Sequence, residues 1–244
     1  MLPSNIRAHK TTPINSLKID NLRRLDQACV AVIGIGGVGG YAAEMLVRAG
    51  LGHIVLVDSD TVSETNLNRQ LLALRSTIGR KKCDVLRERL LDINPDLDVR
   101  VIADYIHEDN VAALLDPVGA DLAIDAIDTL SPKIALIQYC LGRGLKLVSS
   151  MGAGAKLDAT AVRIDDISRT RECPLAHALR KRLHRLGIQR GFLAVYSVEK
   201  PRRESVILEE SRNKKSQVGT VSYLPAVFGC ACAQAALAEL LDIP

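Results

Sequence analysis

Short apolar runs rich in β-branched residues alternate with segments of helical spacing through the first half of the chain. An uninterrupted run such as CVAVIGI is typical of a strand that is covered on both faces, as in a parallel sheet. The predicted strands are Cys29–Ile35, Ile54–Val57, Val99–Ala103, Leu122–Asp125 and Leu145–Ser149, and the predicted helices are Gly39–Ala49, Ile78–Ile93, Asn110–Leu115 and Ile134–Leu141. Because strands alternate with helices, the pattern predicts an α/β fold with a doubly wound, mainly parallel sheet.

The pattern becomes mixed after the glycine-rich stretch Met151–Gly154. The second half is predicted to contain strands Ala161–Ile164 and Phe192–Ser197, a basic helix Pro174–Leu186, a polar, mobile loop Arg202–Val218 and a helix Pro225–Leu241. We therefore expect an N-terminal arm or helix over residues 1–28 and a core over residues 29–168. A basic crossover segment and a C-terminal helix, over residues 169–244, would complete the same domain.

The distribution of charge along the chain supports this division. Of the 244 residues, 48% are apolar and 25% are charged, as in an ordinary soluble protein, and the net charge is only +4. The segment 169–215, however, holds 13 Lys and Arg against 5 Asp and Glu, a net of +8. It is either a solvated surface or a face that binds a polyanion, with Arg180, Lys181, Arg182 and Arg185 as candidate contacts. An aromatic content of 3% excludes an aromatic stacking platform for single strands.

The longest uncharged stretch, Val218–Ala238, is long enough to span a membrane. Its proline, glutamine and many small residues favour a buried helix, so we expect no integral membrane segment. The first ten residues lack the apolar run of a secretory signal. None of the six cysteines forms a C-x-x-C pair, which favours a reduced, cytoplasmic chain without structural zinc.

A glycine-rich turn follows the first predicted strand and opens a helix. The glycines Gly34, Gly36, Gly37 and Gly39 allow a tight turn whose backbone N–H groups can reach a phosphate. Asp58 ends the second predicted strand, where a carboxylate can bind ribose hydroxyls. These features predict a Rossmann-like nucleotide site, but NAD and ATP both remain open, and tight helix–strand packing alone is the structural alternative.

The next polar residues favour ATP. They are Asp60, Asn66, Asn68, Arg69, Gln70 and Lys82. A dehydrogenase has no need for Arg69 and Lys82 at the phosphate end of its site, whereas an enzyme that displaces pyrophosphate must stabilise the charge on the leaving group. Surface ion pairing is the structural alternative for these two cations.

Two carboxylates, Asp125 and Asp128, end the fourth predicted strand. Ligands of open α/β sheets sit at the carboxyl ends of strands, so Asp128 is expected in the cleft as a ligand of Mg2+. The alternative is a helix N-cap, and Asp125 is expected to have a structural role of that sort.

Several stretches resemble a known superfamily. GIGGVGG, VDSDTVSETNLNRQ, TIGRKK, INP and AIDAID are similar to the adenylating superfamily of ubiquitin-activating enzymes and the thiamine and molybdopterin sulfur-carrier adenylyltransferases (the ThiF, MoeB and HesA group). SSMGAGAKLDAT, DISRT, CPLAHALRKRL and VYSVEKP resemble more narrowly the tRNA threonylcarbamoyladenosine dehydratases. The resemblance covers about Cys29 to Leu241.

The resemblance implies that a carboxylate is adenylated with Mg-ATP and that pyrophosphate is released. In the dehydratase branch this carboxylate belongs to the threonylcarbamoyl group of a modified adenosine in tRNA, and a neighbouring group then closes a ring and releases AMP. By position, Gly36 and Gly39 would line the phosphate turn and Asp58 would hold the ribose. The triphosphate contacts would be Asn66, Arg69, Gln70 and Lys82, and Asp128 would hold Mg2+. A homodimer is also implied.

This sequence departs from the family pattern at two places. Relatives carry an N-terminal arginine that reaches the partner's ATP site, whereas Thr12 or Asn15 stands there in this chain, with Arg7 out of register. Slow turnover, use of Arg7 and a changed N-terminus all stay open. Cys173 lies roughly where protein-activating branches place a reactive cysteine, and it is either a nucleophile or an inert thiol.

The sequence therefore favours ATP-dependent dehydration of threonylcarbamoyladenosine in tRNA. The alternative is an adenylyltransferase that activates the C-terminal Gly-Gly of a sulfur-carrier protein, with sulfur-relay proteins as partners. The missing zinc cysteines lower this alternative. A non-catalytic nucleotide-binding scaffold is the third hypothesis, and an NAD dehydrogenase is the least favoured one.

Overall fold

The computed structural model describes residues 19–201, 206–207 and 217–243 of the chain. Its helices are α1 (Ile19–Gln27), α2 (Gly39–Ala49), α3 (Lys82–Ile93), α4 (Val111–Leu115), α5 (Leu130–Arg143), α6 (Pro174–Arg185) and α7 (Tyr223–Leu241). Its strands are β1 (Cys29–Ile33), β2 (His53–Val57), β3 (Asp98–Ile102), β4 (Leu122–Asp125), β5 (Lys146–Ser150), β6 (Val162–Asp166), β7 (Leu193–Ser197), β8 (Val206–Ile207) and β9 (Gln217–Val218). Arg7, Thr12 and Asn15 lie outside the described residues.

Seven strands form one sheet in the order β3-β2-β1-β4-β5-β7-β6. The neighbours are parallel except β6, which runs antiparallel to β7. The chain moves outward from β1 to β3 and then returns to β4 on the other side of β1. The carboxyl ends of β1, β2 and β4 consequently meet at the switch point where open α/β sheets bind ligands. The predicted fold class, with its mixed C-terminal part, is confirmed.

Helices cover both faces of the sheet because alternate residues of each strand point to opposite sides. One buried layer joins sheet residues to α2, α3 and α7, with Leu46, Leu86 and Phe228 among its members. The other joins the sheet to α4, α5 and α6, with Ile137 and Leu179 among its members. Each such side chain contributes about 1.5–3 kcal/mol through its removal from water, so the two layers hold the strand ends in place.

The apolar helix α7 packs inside this structure. Among the described residues, α7 is the helix that is long and apolar enough to cross a membrane. Its mean hydropathy is 1.6 over 18 residues, and half of those residues are buried. Gly229 allows close contact with α2, because a Cβ atom there would lie 2.6 Å from both the Val38 oxygen and the Tyr41 Cβ atom. Its burial against α2 and the sheet favours the interior helix that the sequence predicts.

Most predicted boundaries shift by one or two residues, and two helices and one predicted loop differ more. The helix expected over Ile78–Ile93 begins at Lys82, because the preceding residues pair with the segment after β2: the Val62 amide donates to the Arg80 carbonyl and the Gly79 amide to the Val62 carbonyl, each at 2.8 Å. The helix expected to begin at Ile134 begins at Leu130. The predicted loop Arg202–Val218 lies mostly outside the described residues, but β8 and β9 pair antiparallel within it.

Candidate functional site

The glycine-rich turn after β1 forms the floor of the candidate site. Gly34 has φ +91°, and a Cβ atom there would lie 2.8 Å from the Ala126 carbonyl oxygen. At Gly39 a Cβ atom would lie 1.9 Å from the Gly34 oxygen, so a side chain there would collide with the turn itself. Gly36 faces the Gln70 amide, and Gly37 lies against Pro225 and the Arg69 backbone. The turn therefore brings the N-terminus of α2 and its amides to the strand ends.

Asp58, which follows β2, is tied to this turn. Its two carboxylate oxygens accept hydrogen bonds from the Ile35 amide at 2.6 Å and the Asp60 amide at 2.8 Å. Burial raises the pKa of Asp58, although the nearby Lys82 ammonium and the two amides oppose that shift. Carboxylate oxygens held in this way beside the turn are suited to accept from vicinal hydroxyl groups.

Lys82, the first residue of α3, lies at the same edge. Its Nζ atom is 2.7 Å from the Asp60 carboxylate and 3.9 Å from Asp58. The Lys82 side chain is 7% exposed, whereas that of Asp60 is 67% exposed. The pair is thus open on one side, so an incoming polyanion can replace Asp60 as the partner of the ammonium.

The segment between β2 and α3 supplies the remaining predicted residues. Asn66 is buried and its side chain accepts from the Ser63 amide at 3.1 Å, which fixes the turn. Arg69 donates to the Thr65 carbonyl at 2.9 Å and to Asn68 at 2.8 Å. Asn68 also donates to the Thr220 carbonyl at 3.3 Å, which connects this segment to the residues before α7.

Gln70 lacks a complete set of partners. It is 8% exposed, and its Oε1 atom has no hydrogen-bond partner among the described residues. A buried acceptor left unpaired costs about 1–3 kcal/mol. The Gln70 Nε2 donor is the atom that faces Gly36 of the glycine turn, so this side chain can donate to a ligand held there.

The two carboxylates at the end of β4 have different surroundings. Asp128 is exposed in the turn beyond the strand. Asp125 is fully buried and accepts from Lys133 Nζ at 2.6 Å and from the Ser149 hydroxyl at 2.7 Å. The N-cap of α5 is Thr129, so the N-cap role expected for Asp125 is wrong; its structural role is an internal ion pair. Lys133 and Ser149 are absent from the residues that the sequence singled out.

Among the described residues, no group of three or more His, Cys, Asp and Glu side chains could hold a metal ion. Mg2+ does not require one, because it commonly takes one or two carboxylates together with phosphate oxygens and water. Exposed Asp128, three residues after the end of β4 and close to the glycine-rich turn, fits this chemistry.

The basic helix α6 presents three of its four candidate cations to solvent: Lys181, Arg182 and Arg185 are exposed. Arg180 is half-buried and donates to the carbonyl and hydroxyl of Thr170, so it serves the fold at least in part. Arg180 also holds the segment that leads into Cys173.

Cys173, the N-cap of α6, is 4% exposed and therefore inaccessible as the structure stands. Near it lies Lys156, which is 2% exposed and donates to the Ser197 carbonyl at 2.8 Å. Burial lowers the pKa of Lys156, while Cys173, Glu199 and Glu172 act in the opposite direction. All six cysteines are free thiols.

The chain is similar to several known proteins. A tRNA threonylcarbamoyladenosine dehydratase of Bacillus subtilis is 41% identical over 218 residues, which cover 86% of this chain and 85% of the relative. The crystal structure of E. coli TcdA, a tRNA N6-threonylcarbamoyladenosine dehydratase, in complex with ATP has a TM-score of 0.84 at 36% identity and covers 92% of this chain and 90% of its own. The complex of that enzyme with AMP has a TM-score of 0.83 at 37% identity, with the same coverage.

An adenylyltransferase relative is more distant. The molybdopterin-synthase adenylyltransferase of E. coli is 30% identical over 153 residues, which cover 63% of this chain and 60% of the relative. The ThiF family itself matches residues 10–244. With the seven-stranded sheet and the nucleotide-type turn at its switch point, this match confirms what the motifs predicted: the chain belongs to the ThiF family.

Proposed function

We propose that this chain is an ATP-dependent adenylating enzyme that cyclises N6-threonylcarbamoyladenosine in tRNA with net loss of water. The observation that carries the proposal is the site at the switch point. There a phosphate-type glycine turn, the ribose-type carboxylate Asp58 and the buried cation Lys82 converge on the same sheet edge. The similarity to a dehydratase crystallised with ATP and with AMP supports the same reaction.

The chemistry needs two transfers. A carboxylate oxygen of the threonylcarbamoyl group attacks the α-phosphorus of ATP, and pyrophosphate leaves. A neighbouring nucleophile of the same modification then attacks the acyl carbon, the ring closes and AMP leaves with the carboxylate oxygen. Because the second step is intramolecular, proximity supplies much of its rate and no cysteine nucleophile is needed.

We assign different parts of this reaction to different residues of the site. The turn amides and the Asp58 carboxylate orient the nucleotide. Lys82 and Arg69 face the charge that grows on pyrophosphate, and Asn66, Asn68 and Gln70 line the segment between them. Asp128 would hold Mg2+, which would supply charge neutralisation on the phosphates when bound.

The direct test is incubation with Mg-ATP and tRNA that carries the linear modification, followed by digestion and mass spectrometry. We expect a nucleoside lighter by one water and one AMP per nucleoside. The proposal is contradicted if the mass is unchanged while a small protein ending in Gly-Gly triggers tRNA-independent pyrophosphate exchange. That result would favour activation of a sulfur carrier instead.

We propose that tRNA docks through its phosphates on the exposed cations of α6. Replacing Lys181, Arg182 and Arg185 with Ala should weaken tRNA binding and lower the salt slope by about 1 for each phosphate-binding cation removed. The control replaces three exposed cations elsewhere, Arg23, Arg87 and Arg100. Equal losses in both triple variants would mean that α6 acts only through net charge.

The role of Cys173 separates the dehydratase from the sulfur-carrier alternative. Because the thiol is buried, we expect Cys173→Ser to retain nucleoside cyclisation. Full loss of activity in a folded variant would instead support a thiol intermediate and docking of sulfur-relay proteins.

We further propose a homodimer in the cytoplasm. Several apolar residues of the helix α7 are only partly buried, and beside them lies a cavity of about 360 Å³ lined by Met45, Cys230, Leu237 and Ala238, among others. A second copy of the chain would cover this apolar surface. Sedimentation equilibrium should then give twice the 26.4 kDa mass of one chain, and Leu237→Asp should return the monomer mass.

A further inference from the structure

A closed ion pair lies directly beneath the candidate site. Asp125 and Lys133 have side chains that are 0% exposed, with Lys133 Nζ 2.6 Å from Asp125 Oδ2. The Ser149 hydroxyl donates to the same oxygen at 2.7 Å, and Lys133 Nζ lies 3.2 Å from that hydroxyl. Asp125 and Ser149 are direct partners in the ladder between β4 and β5.

This pair is costly for the fold. Lys133 lies in the first turn of α5, where the helix dipole disfavours a cation, and both charges have lost their water. Apolar residues of similar volume would often be at least as stable in such a place. The pair is therefore better explained by something that it holds in position.

The ion pair holds the turn between β4 and Asp128 in position. The second oxygen of Asp125, Oδ1, accepts from the Ile127 amide at 3.1 Å. The Ala126 amide donates to the Ile33 carbonyl at 2.8 Å, and the Ala126 oxygen lies so close to Gly34 that a Cβ atom there would be 2.8 Å away. The turn is thus clamped between the ion pair and the phosphate turn, one residue before Asp128.

We propose that Lys133 is a positioning residue, which acts through Asp125 to fix the turn that presents Asp128 to Mg-ATP. This inference rests on the proposed function, because it assigns the nucleotide as the ligand of Asp128. Lys133 itself is buried behind the turn and does not touch the ligand.

The test is a double-mutant cycle read out by calorimetric binding of Mg-ATP, without tRNA. Lys133→Met and Asp128→Ala should each weaken binding about tenfold, the lower end expected for groups that orient a metal ligand. If Lys133 acts through Asp128, the double variant should also bind Mg-ATP about tenfold more weakly, because both substitutions remove the same interaction. An additive loss of about a hundredfold would overturn the proposal.

The matched control is Glu44→Gln, which weakens another ion pair whose carboxylate is buried, that of Glu44 in α2 with Arg48 of the same helix and Arg89 of α3. It should lower the melting temperature yet leave Mg-ATP affinity unchanged; an equal loss of affinity would mean that Lys133→Met acts only by loosening the fold. If Lys133→Met does not fold, Ser149→Ala removes one hydrogen bond to Asp125 without a stranded charge. It should weaken Mg-ATP binding in the same non-additive way, and an unchanged affinity would overturn the proposal.

The same measurement separates this inference from the proposed function. Failure of the unchanged chain to bind Mg-ATP would overturn both. Normal binding and a non-additive cycle without any cyclisation of tRNA would overturn the proposed reaction and leave Lys133 as a positioning residue.

Discussion

Two lysine–aspartate pairs lie at the carboxyl ends of neighbouring parts of the sheet, and they are built in opposite ways. Lys82 pairs with Asp60, whose side chain is 67% exposed, whereas Lys133 pairs with Asp125, and neither side chain is exposed. The open pair can exchange its carboxylate for a ligand at little cost. The closed pair cannot, and it stabilises the backbone around the site instead. Similar chemistry thus serves binding in one place and positioning in the other.

The largest expected difference concerns stability. Lys133→Met strands a buried carboxylate and should lower the free energy of unfolding by about 3–5 kcal/mol. Lys82→Met should cost less, about 1–3 kcal/mol, because Asp60 returns to water and only the more distant Asp58, 3.9 Å away, is left without a nearby cation. Urea unfolding of both variants checks this. Equal losses would break the distinction between the open and the closed pair.

For the rate of the adenylation step we expect the opposite order, with the larger effect from the Lys82 substitution. Lys82→Met should slow pyrophosphate exchange by about 10²–10³-fold, because a preorganised cation is lost where the leaving group carries charge. The exposed neighbour Lys81 provides the control, since Lys81→Met should leave the rate unchanged. A rate for Lys82→Met within twofold of the unchanged chain would remove Lys82 from the nucleotide site.

Glu44 provides an intermediate case, because its buried side chain meets Arg89 and Arg48, which are about half exposed. Burial acts to raise the pKa of Glu44, but hydrogen bonds from the two arginines outweigh it, and the net pKa is lowered. The ionised form therefore stabilises the fold above the unfolded pKa of about 4.3, and this contribution is lost as the pH falls through the lowered folded pKa.

Glu44→Gln should accordingly cost about 1–3 kcal/mol at neutral pH, and nothing once the pH lies below both pKa values. Melting temperatures measured from neutral to acid pH check the sign. A difference that persists unchanged at acid pH would mean that shape, not charge, carries the effect of Glu44.

The smallest expected effect is at Gln70, whose Oε1 atom is buried without a partner among the described residues. Gln70→Leu should stabilise the free protein by about 1 kcal/mol, since an unsatisfied acceptor is removed. The same variant should bind ATP less tightly, because it loses the Nε2 donor that faces the glycine turn at Gly36. A variant that gains stability and binds ATP normally would show that the Gln70 side chain contacts no nucleotide.

The contrast between the two ion pairs also shows which features could be predicted from the sequence and which could not. The strand, glycine turn and helix around Gly34 and Gly39 are local patterns, and so is the carboxylate Asp58 that ends the next strand. These features and the doubly wound, mainly parallel sheet were predicted because each depends on spacing along a short segment, whereas the order of the strands was not predicted.

The closed pair was not predicted, because its members are joined only by the fold. Lys133 is 8 residues and Ser149 is 24 residues from Asp125, and each looks like an isolated polar residue in an apolar segment. One signal was available: a lysine in the first turn of an apolar helix opposes the helix dipole and implies a partner. Arg180 is a similar case, since its bond to Thr170 depends on how α6 folds back on the preceding turn.

The proposed adenylation of the carboxylate of the modified nucleoside can be followed by isotope transfer. The tRNA substrate would carry a heavy-oxygen label in the threonylcarbamoyl carboxylate, and the AMP released during one turnover would be analysed by mass spectrometry. Attack on the α-phosphorus predicts one labelled oxygen in AMP and none in pyrophosphate. Unlabelled AMP, accompanied by label in inorganic phosphate or pyrophosphate, would contradict the account.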